Sequence, residues 1–334
     1  MKIKNFEVLR WHSFFDGFLL HAPIAVIYFS DVSGSFALGM SVFSIGMVAA
    51  SLFEIPTGIF SDKIGRKKTI LFGSISSVIF LFIYATATTY LALIIGAVIA
   101  GFARSLFSGN NQALLHDSLK EQGVEKDFSH YYGKVSAMEQ SALGIAAVLG
   151  GIIASWSLRN VFWFSLVPQI ICVVLSFRLI DPKVHSNQSG NIYLHLKAAV
   201  KHFVNNKKLR LLTLASSSTY ALGESSFQFR SAFYQMLWPV WAIGLAQALS
   251  NLGASISFHY SGRILKKFGA IKSLVTGSLF GRVANIIGTA FPTVFSPIIM
   301  SSSSLLYGVL NVAKESLLQK EYKQEQRATM GSLN

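Results

Sequence analysis

Stretches of about twenty apolar residues recur along this 334-residue chain, separated by short and mostly basic connections. A hydrocarbon core about 30 Å thick takes about 20 helical residues to cross, and only helices or closed barrels satisfy their backbone groups inside it. The stretches are Trp11–Phe29, Phe36–Phe60, Thr69–Ala87, Tyr90–Leu115 and Lys134–Trp156, then Asn160–Leu179, Leu209–Phe229, Trp238–Tyr260, Ile271–Phe291 and Pro292–Leu310. An all-α polytopic membrane protein with about ten transmembrane helices is therefore expected. The tightest connection is the turn at Phe291-Pro292.

Composition agrees. Hydrophobic residues make up 52% of the chain and charged residues 13%, whereas a soluble domain carries about 25% charged. The net charge of +14 does not point to nucleic acid, because the basic residues lie between apolar runs rather than on one polar face. Lys2, Lys4 and Arg10 before the run from Ser13 to Phe29 look like a signal peptide, but many similar runs follow, so this is read as the first span. One cysteine, Cys172, sits inside an apolar run. Neither a disulfide framework nor a cysteine metal site is expected.

Charge asymmetry sets the orientation. With the N-terminus cytoplasmic, Arg159 and Arg230 fall in external loops and Arg104 and Arg282 within spans, and the other lysines and arginines fall on the cytoplasmic side. The longest connection, Asp181 to Lys208, divides the chain into residues 1–180, a linker at 181–208, and residues 209–334. Within the linker, Ile192, Leu196, Ala199, Val200 and Phe203 share one helical face, as in a short amphipathic helix lying on the membrane surface.

After the second span comes Gly58-Ile59-Phe60-Ser61-Asp62-Lys63-Ile64-Gly65-Arg66-Lys67-Lys68. It resembles the cytoplasmic loop signature of the major facilitator superfamily (MFS), G-x-x-x-D-x-x-G-R-[KR]. Any short cytoplasmic loop collects lysines, but that does not account for Gly58, Asp62 and Gly65 in register. A degraded copy, Gly262-Arg263-Ile264-Leu265-Lys266-Lys267-Phe268-Gly269, follows the eighth span, with Lys266 in the place of Asp62. Repetition at the same point of each half suits a transporter built from two repeats. Glu54-Ile55-Pro56-Thr57-Gly58 is also similar to the family, and so is Ser108-Gly109 with the stretch Ala113 to Leu119. The fifth span departs from the family's drug-antiporter pattern: it has Gly144, Gly150 and Gly151, but no proline lies between Pro56 and Pro168.

The resemblance implies an MFS-type two-half helical bundle of twelve helices, of which about ten are present. It implies transport of a small-molecule solute by alternating access in the plasma (inner) membrane. The protein would act as a monomer in the lipid bilayer, with a proton gradient rather than a cofactor as driving force, and import and export are both open. It further implies that Asp62 faces the N-terminal end of an eleventh helix when the cytoplasmic side is closed, with Arg66 bracing the same loop and Lys67 completing the gate motif. Residues Arg327 to Asn334 resemble the opening of that helix, so a chain truncated before helix eleven is expected, with a native ten-helix protein as the alternative.

Ionisable groups inside a bilayer cost at least ~2.5–3.5 kcal/mol at mid-helix, which makes each a candidate for function. Asp16 in the first span, with His12 a turn earlier and His21 beyond, is one candidate for the coupling proton; the alternative is an interfacial Asp16, solvated or paired with His12. Glu54 either lines the path or braces the gate. Arg104 either attracts an anion or pairs with Asp16 or Glu54. Glu139 and Gln140 read as interfacial. Glu224, beside Gly223, is the candidate of the C-terminal half, with an external gate as the alternative role. Tyr220, Gln247 and Asn251 are uncharged hydrogen-bonding candidates, although polar groups also simply join helices. His259-Tyr260 reads as structural. No phosphate loop, nucleophile elbow or metal-ligand spacing occurs, so neither an enzyme nor a metal or nucleic-acid binder is expected. A non-transporting sensor or scaffold on the same fold, or an inactive truncated product, remains the other reading.

Overall fold

A computed structural model describes residues 4–124, 128–182 and 204–321. The expected linker helix at 191–203 and the stretch 327–334 lie outside the described residues, as does the side chain of Asp62. Among the described residues every regular element is helical. The helices are α1 (Lys4–Asp16), α2 (Ala25–Ser33), α3 (Phe36–Ile64), α4 (Arg66–Thr86), α5 (Tyr90–Phe107), α6 (Asn110–Glu121), α7 (Phe128–Ala154) and α8 (Leu158–Phe177). They continue as α9 (Lys207–Gln235), α10 (Val240–Phe268), α11 (Ala270–Ala290), α12 (Ser296–Ser301), a 3₁₀ turn at Ser302–Leu306, and α13 (Tyr307–Glu321).

Among the described residues six stretches are long and apolar enough to cross a membrane: Phe36–Glu54, Arg66–Thr86, Tyr90–Glu121, Lys134–Ala154, Leu158–Phe177 and Ser296–Lys314. Helices α9, α10 and α11, of 29, 29 and 21 residues, are long enough to span as well. They are more polar, α9 through Ser216-Ser217-Ser218-Thr219 and its basic start.

Helix α8 is inverted relative to a surface helix of a soluble protein. On α8, Trp163, Val167, Ile170, Val174 and Phe177 are exposed, while Ser165, Gln169, Cys172 and Ser176 are buried. An apolar outer stripe over a polar inner one is what lipid as solvent selects. The opposite arrangement would suit water.

The chain packs as two compact units: Met1–His185 with Ser231–Asn251, and Ser186–Arg230 with Leu252–Asn334. In the first unit α3 packs on α5, α4 on α5 and α8, and α1 on α7 and α8. Small residues set the α3–α5 distance. A Cβ added to Gly101 would collide with the Gly46 carbonyl oxygen and stand 2.7 Å from Ala49 Cβ, so the backbones touch as in small-xxx-small pairs. Buried aromatics seal the end away from the loop motif. Tyr28, Phe29, Tyr84 and Phe162 stack with centroids 4.5–6.0 Å apart, and Tyr28 donates to the Tyr84 carbonyl at 2.6 Å. Within the second unit, α11 packs on α12, the 3₁₀ turn and α13. There the Arg230 guanidinium donates to Asn285 Oδ1 at 2.9 Å.

Three stretches read as single runs are broken. Trp11–Phe29 comprises the end of α1, a link at 17–24 and the start of α2. Pro23, which has no N–H to donate to a preceding turn, lies near the end of this link, before α2. Tyr90–Leu115 breaks at Ser108-Gly109, where Gly109 has φ +70°, a conformation that favours glycine. Asn110 then turns its Nδ2 back to the Leu106 carbonyl at 2.8 Å, satisfying one end of α5. The third, Pro292–Leu310, holds α12, the 3₁₀ turn and the start of α13. Arg230, expected in an external loop, lies inside α9, which continues to Gln235.

Candidate functional site

The α5–α6 break and the last turns of α1 border one cavity. It is open, has a volume of about 340 Å³, and lies among α1, α5, α6 and α7. Helix α1 contributes Leu9, Ser13 and Asp16, and α7 contributes Tyr132, Val135, Ser136 and Glu139. The α5–α6 break contributes Arg104, Ser108, Asn111 and Gln112. Among the described residues its charged lining is therefore two carboxyl groups on one side and one guanidinium from another helix. Charge inside a membrane protein is costly unless it faces such an opening or a partner.

Local contacts fix these groups. The carbonyl oxygens of Phe15 and Asp16, at the end of α1, accept from Gln169 Nε2 at 3.5 and 3.3 Å. Gln169 is 2% exposed, so this helix end is satisfied away from solvent. Gly17 brings α1 against α7: a Cβ there would stand 2.9 Å from Glu139 Cγ. That places the Glu139 side chain beside the Asp16 turn. Across the cavity, Arg104 Nη1 lies 3.2 Å from Met47 Sδ, and Tyr132 accepts from Gln112 Nε2 at 2.9 Å.

The other sequence candidates go elsewhere. His12 does not pair with Asp16; its Nε2 lies 3.0 Å from Ser74 Oγ, which in turn lies 3.0 Å from Ser176 Oγ. His21 stacks on Phe162 with centroids 5.2 Å apart and has Nδ1 3.4 Å from Ser165 Oγ, outside the cavity lining. Glu54 accepts from Ser108 Oγ at 2.8 Å, which ties α3 to the α5–α6 break. Glu224 is half-buried on α9, in the second unit. The side chains of Tyr220 and His259 lie outside the described residues.

The loop motif forms a braced corner. Gly65, at φ +93°, separates α3 from α4. The first turn of α4 is capped by a carboxylate from far along the chain, Lys67 N–H donating to Asp181 Oδ1 at 2.9 Å. An anion at a helix N-terminus is stabilised by the exposed amides and the dipole. Arg66 Nε donates to Asp117 Oδ2 on α6 at 2.9 Å, and Ser61 bonds Asn110 at the head of that helix. Asn5 completes the corner. Its Nδ2 donates to Ser118 Oγ at 2.8 Å and to Ile180 O at 2.7 Å, and its Oδ1 accepts from Ile180 N at 2.9 Å. Gly58 faces open space, since a Cβ there would meet nothing within 4 Å.

Sequence reading missed the partners Asn5, Asp117 and Asp181, and it placed Glu139 at the interface. The one available signal for Glu139 was its charge inside the apolar run Lys134–Trp156.

Several apolar helices long enough to cross a membrane, with a charged cavity and a braced loop motif among them, make this a multi-pass membrane protein. The chain belongs to the Major Facilitator Superfamily, whose family model matches residues 12–334. It is 30% identical over 178 residues to an uncharacterized transporter of Buchnera aphidicola subsp. Acyrthosiphon pisum (strain APS), a match covering 53% of this chain and 44% of that protein. The match thus spans less than half the length of that relative. The chain is also 24% identical over 293 residues to the quinolone resistance protein NorA of Staphylococcus aureus (strain MSSA476), covering 85% of this chain and 73% of NorA. In fold it is similar to the nucleoside transporter NupG, with a TM-score of 0.75, 18% identity, and coverage of 100% of this chain and 86% of the other. A D-xylose-proton symporter gives a TM-score of 0.73 at 14% identity, covering 98% and 85%.

Proposed function

We propose that this chain is part of a secondary active transporter that moves a small solute by alternating access, coupled to protons. The observation that carries this reading is the cavity holding Asp16, Glu139 and Arg104 between broken helices. Irregular backbone at membrane depth occurs where it lines a cavity, and transporters place their sites at such helix breaks. Asp16 is the proton carrier in this reading, and Glu224 serves the second unit. The braced corner of Gly65, Arg66 and Lys67, with Asp62, is the cytoplasmic gate element. A ten-span chain in the plasma membrane with its N-terminus cytoplasmic fits the distribution of basic residues. Kinship to NorA favours export, and likeness to a proton symporter favours proton use; neither fixes the solute.

The test is proton movement in proteoliposomes carrying a pH-sensitive dye, challenged with a solute panel. Solute-dependent proton flux is expected, lost in Asp16→Asn. If Asp16→Asn and Glu224→Gln both keep full coupling, neither residue carries the proton. If no solute moves and no proton flux arises, the transport reading fails.

A further inference from the structure

His12 is fully buried in α1, and so are the groups around it, Ser74 on α4 and Cys172 and Ser176 on α8. Polar side chains enclosed in this way must find their hydrogen bonds among themselves. Three contacts link them: His12 Nε2 to Ser74 Oγ at 3.0 Å, Ser74 Oγ to Ser176 Oγ at 3.0 Å, and Ser176 Oγ to the Cys172 carbonyl at 2.8 Å. A neutral imidazole and two hydroxyls carry one proton each, and only one order puts a proton into every contact. His12 Nε2 donates to Ser74, Ser74 to Ser176, and Ser176 to the Cys172 carbonyl. The imidazole is therefore the Nε2–H tautomer, and its enclosed Nδ1, which has no hydrogen-bond partner, is a bare lone pair. Cys172 Sγ donates to the His12 carbonyl at 3.5 Å, which closes a ring over α1, α4 and α8. Each bond in such a ring polarises the next.

The ring is one of three polar attachments along α1. Asn5, two turns before His12, bonds Ser118 and Ile180, and Gln169 Nε2 holds the carbonyls of Phe15 and Asp16. At 3.6 residues per turn, Asn5 and His12 fall on one stripe of the helix and Leu9, Ser13 and Asp16 on the stripe beside it. These last three line the cavity. His12 also meets Phe107 edge to face, with centroids 5.7 Å apart, and Phe107 belongs to the cavity wall. His12 thus stays outside the cavity while it holds the helix that presents Asp16 to it.

We infer that His12 is a positioning residue of the candidate site: fastened by the ring as its Nε2–H tautomer, it sets the rotation of α1 and so turns Asp16 toward the cavity. The use made of Asp16 rests on the transport reading; its placement does not, and is tested without transport.

The full chain carrying Asp16→Cys, in nanodiscs, is treated with a water-soluble maleimide, and each cysteine is followed by peptide mass spectrometry. Residue 16 should label, because it lines an open cavity, and native Cys172, fully buried, should not. Adding His12→Leu removes the first donor of the ring and is expected to slow labelling at residue 16 about tenfold as the thiol loses exposure. His12→Gln in its place keeps an N–H donor and should restore most of the rate. An unchanged rate in His12→Leu, or a His12→Gln no faster than His12→Leu, overturns the proposal. Should His12→Leu open the unit, Cys172 labels as well, and Ser74→Ala decides instead. It removes one hydroxyl from α4 and should slow residue 16 with Cys172 still unlabelled; residue 16 at its original rate overturns the proposal.

With Asp16 in place, His12→Leu should lower the maximal solute-driven proton flux in proteoliposomes, and His12→Gln should recover it. If labelling follows the expected order and even the unaltered chain moves no solute, the transport reading fails and the placement of Asp16 by His12 stands.

Discussion

Gly17 and Glu139 are in contact across two helices: a Cβ on residue 17 would stand 2.9 Å from both Glu139 Cγ and the Glu139 carbonyl oxygen. Because one of those atoms is backbone, the side chain alone cannot move aside. Gly17→Ala is expected to push α1 and α7 apart and to cost about 1–3 kcal/mol by overpacking. The check is the thermal unfolding midpoint in nanodiscs, which should fall. A wild-type midpoint would mean that the helices do not meet here.

Arg66 and Asp117 form a partly exposed pair through a hydrogen bond of 2.9 Å. A double-mutant cycle of Arg66→Ala with Asp117→Ala should return a coupling energy of about 1 kcal/mol, the upper range for a pair that water still reaches. Arg66→Lys keeps the charge but loses the directed Nε–H bond, so it should recover only part of this. Additive single effects would show that the pair contributes nothing.

Asp181 caps α4 from the far end of the unit. Asp181→Asn keeps an acceptor for the Lys67 N–H but removes the charge at the helix dipole, and is expected to cost about 0.3–1 kcal/mol. Gly65→Ala should cost more. Residue 65 has φ +93°, and an added Cβ would stand 2.8 Å from Asp181 Oδ2. The measurement is the unfolding midpoint of both variants; Gly65→Ala milder than Asp181→Asn would contradict this geometry.

Asn5 makes three hydrogen bonds with Ser118 and Ile180 and is 7% exposed. Asn5→Ala removes all three bonds, and because Ile180 is exposed its backbone groups can turn to water, so the loss is about 0.5–1.5 kcal/mol per bond. Asn5→Asp retains the acceptor side and should be the milder change. Limited proteolysis near residue 180 should quicken in Asn5→Ala, and unchanged cleavage would place the stability of this corner elsewhere.

The legible parts of this chain were those that repeat or sum along the sequence. Apolar runs announced α3, α4, α5 and α8, because hydropathy adds up over neighbours whatever the tertiary structure. The loop motif announced the Gly65 corner through fixed spacing. The partners of that corner were not legible, since Asp117 and Asp181 lie 51 and 114 residues from the groups they meet. Nothing local marks such a pair. The breaks at 17–24 and Ser108-Gly109 were hidden because they sit inside apolar runs, where hydropathy is blind to backbone direction. Asp16, at the end of α1, and Arg104, in the last turn of α5, line the same opening, which only the packing of separate helices creates. His12 shows the reverse error: its spacing from Asp16 suggested a pair, yet a helix turn can aim two neighbours at different partners, and Ser74 holds the histidine.

The Asn5 clasp also bears on how the protein is made. Its two ends are 175 residues apart, so α1 cannot close this clasp until Ile180 has been synthesised. At about 5–20 residues per second that is a wait of roughly 9–35 s. Over that interval α1, with Asp16 at its end, can gather α6 and α7 but still lacks α8 and the Ile180 side of the clasp. A helix that ends in a charge thereby completes its packing only once α8 has emerged.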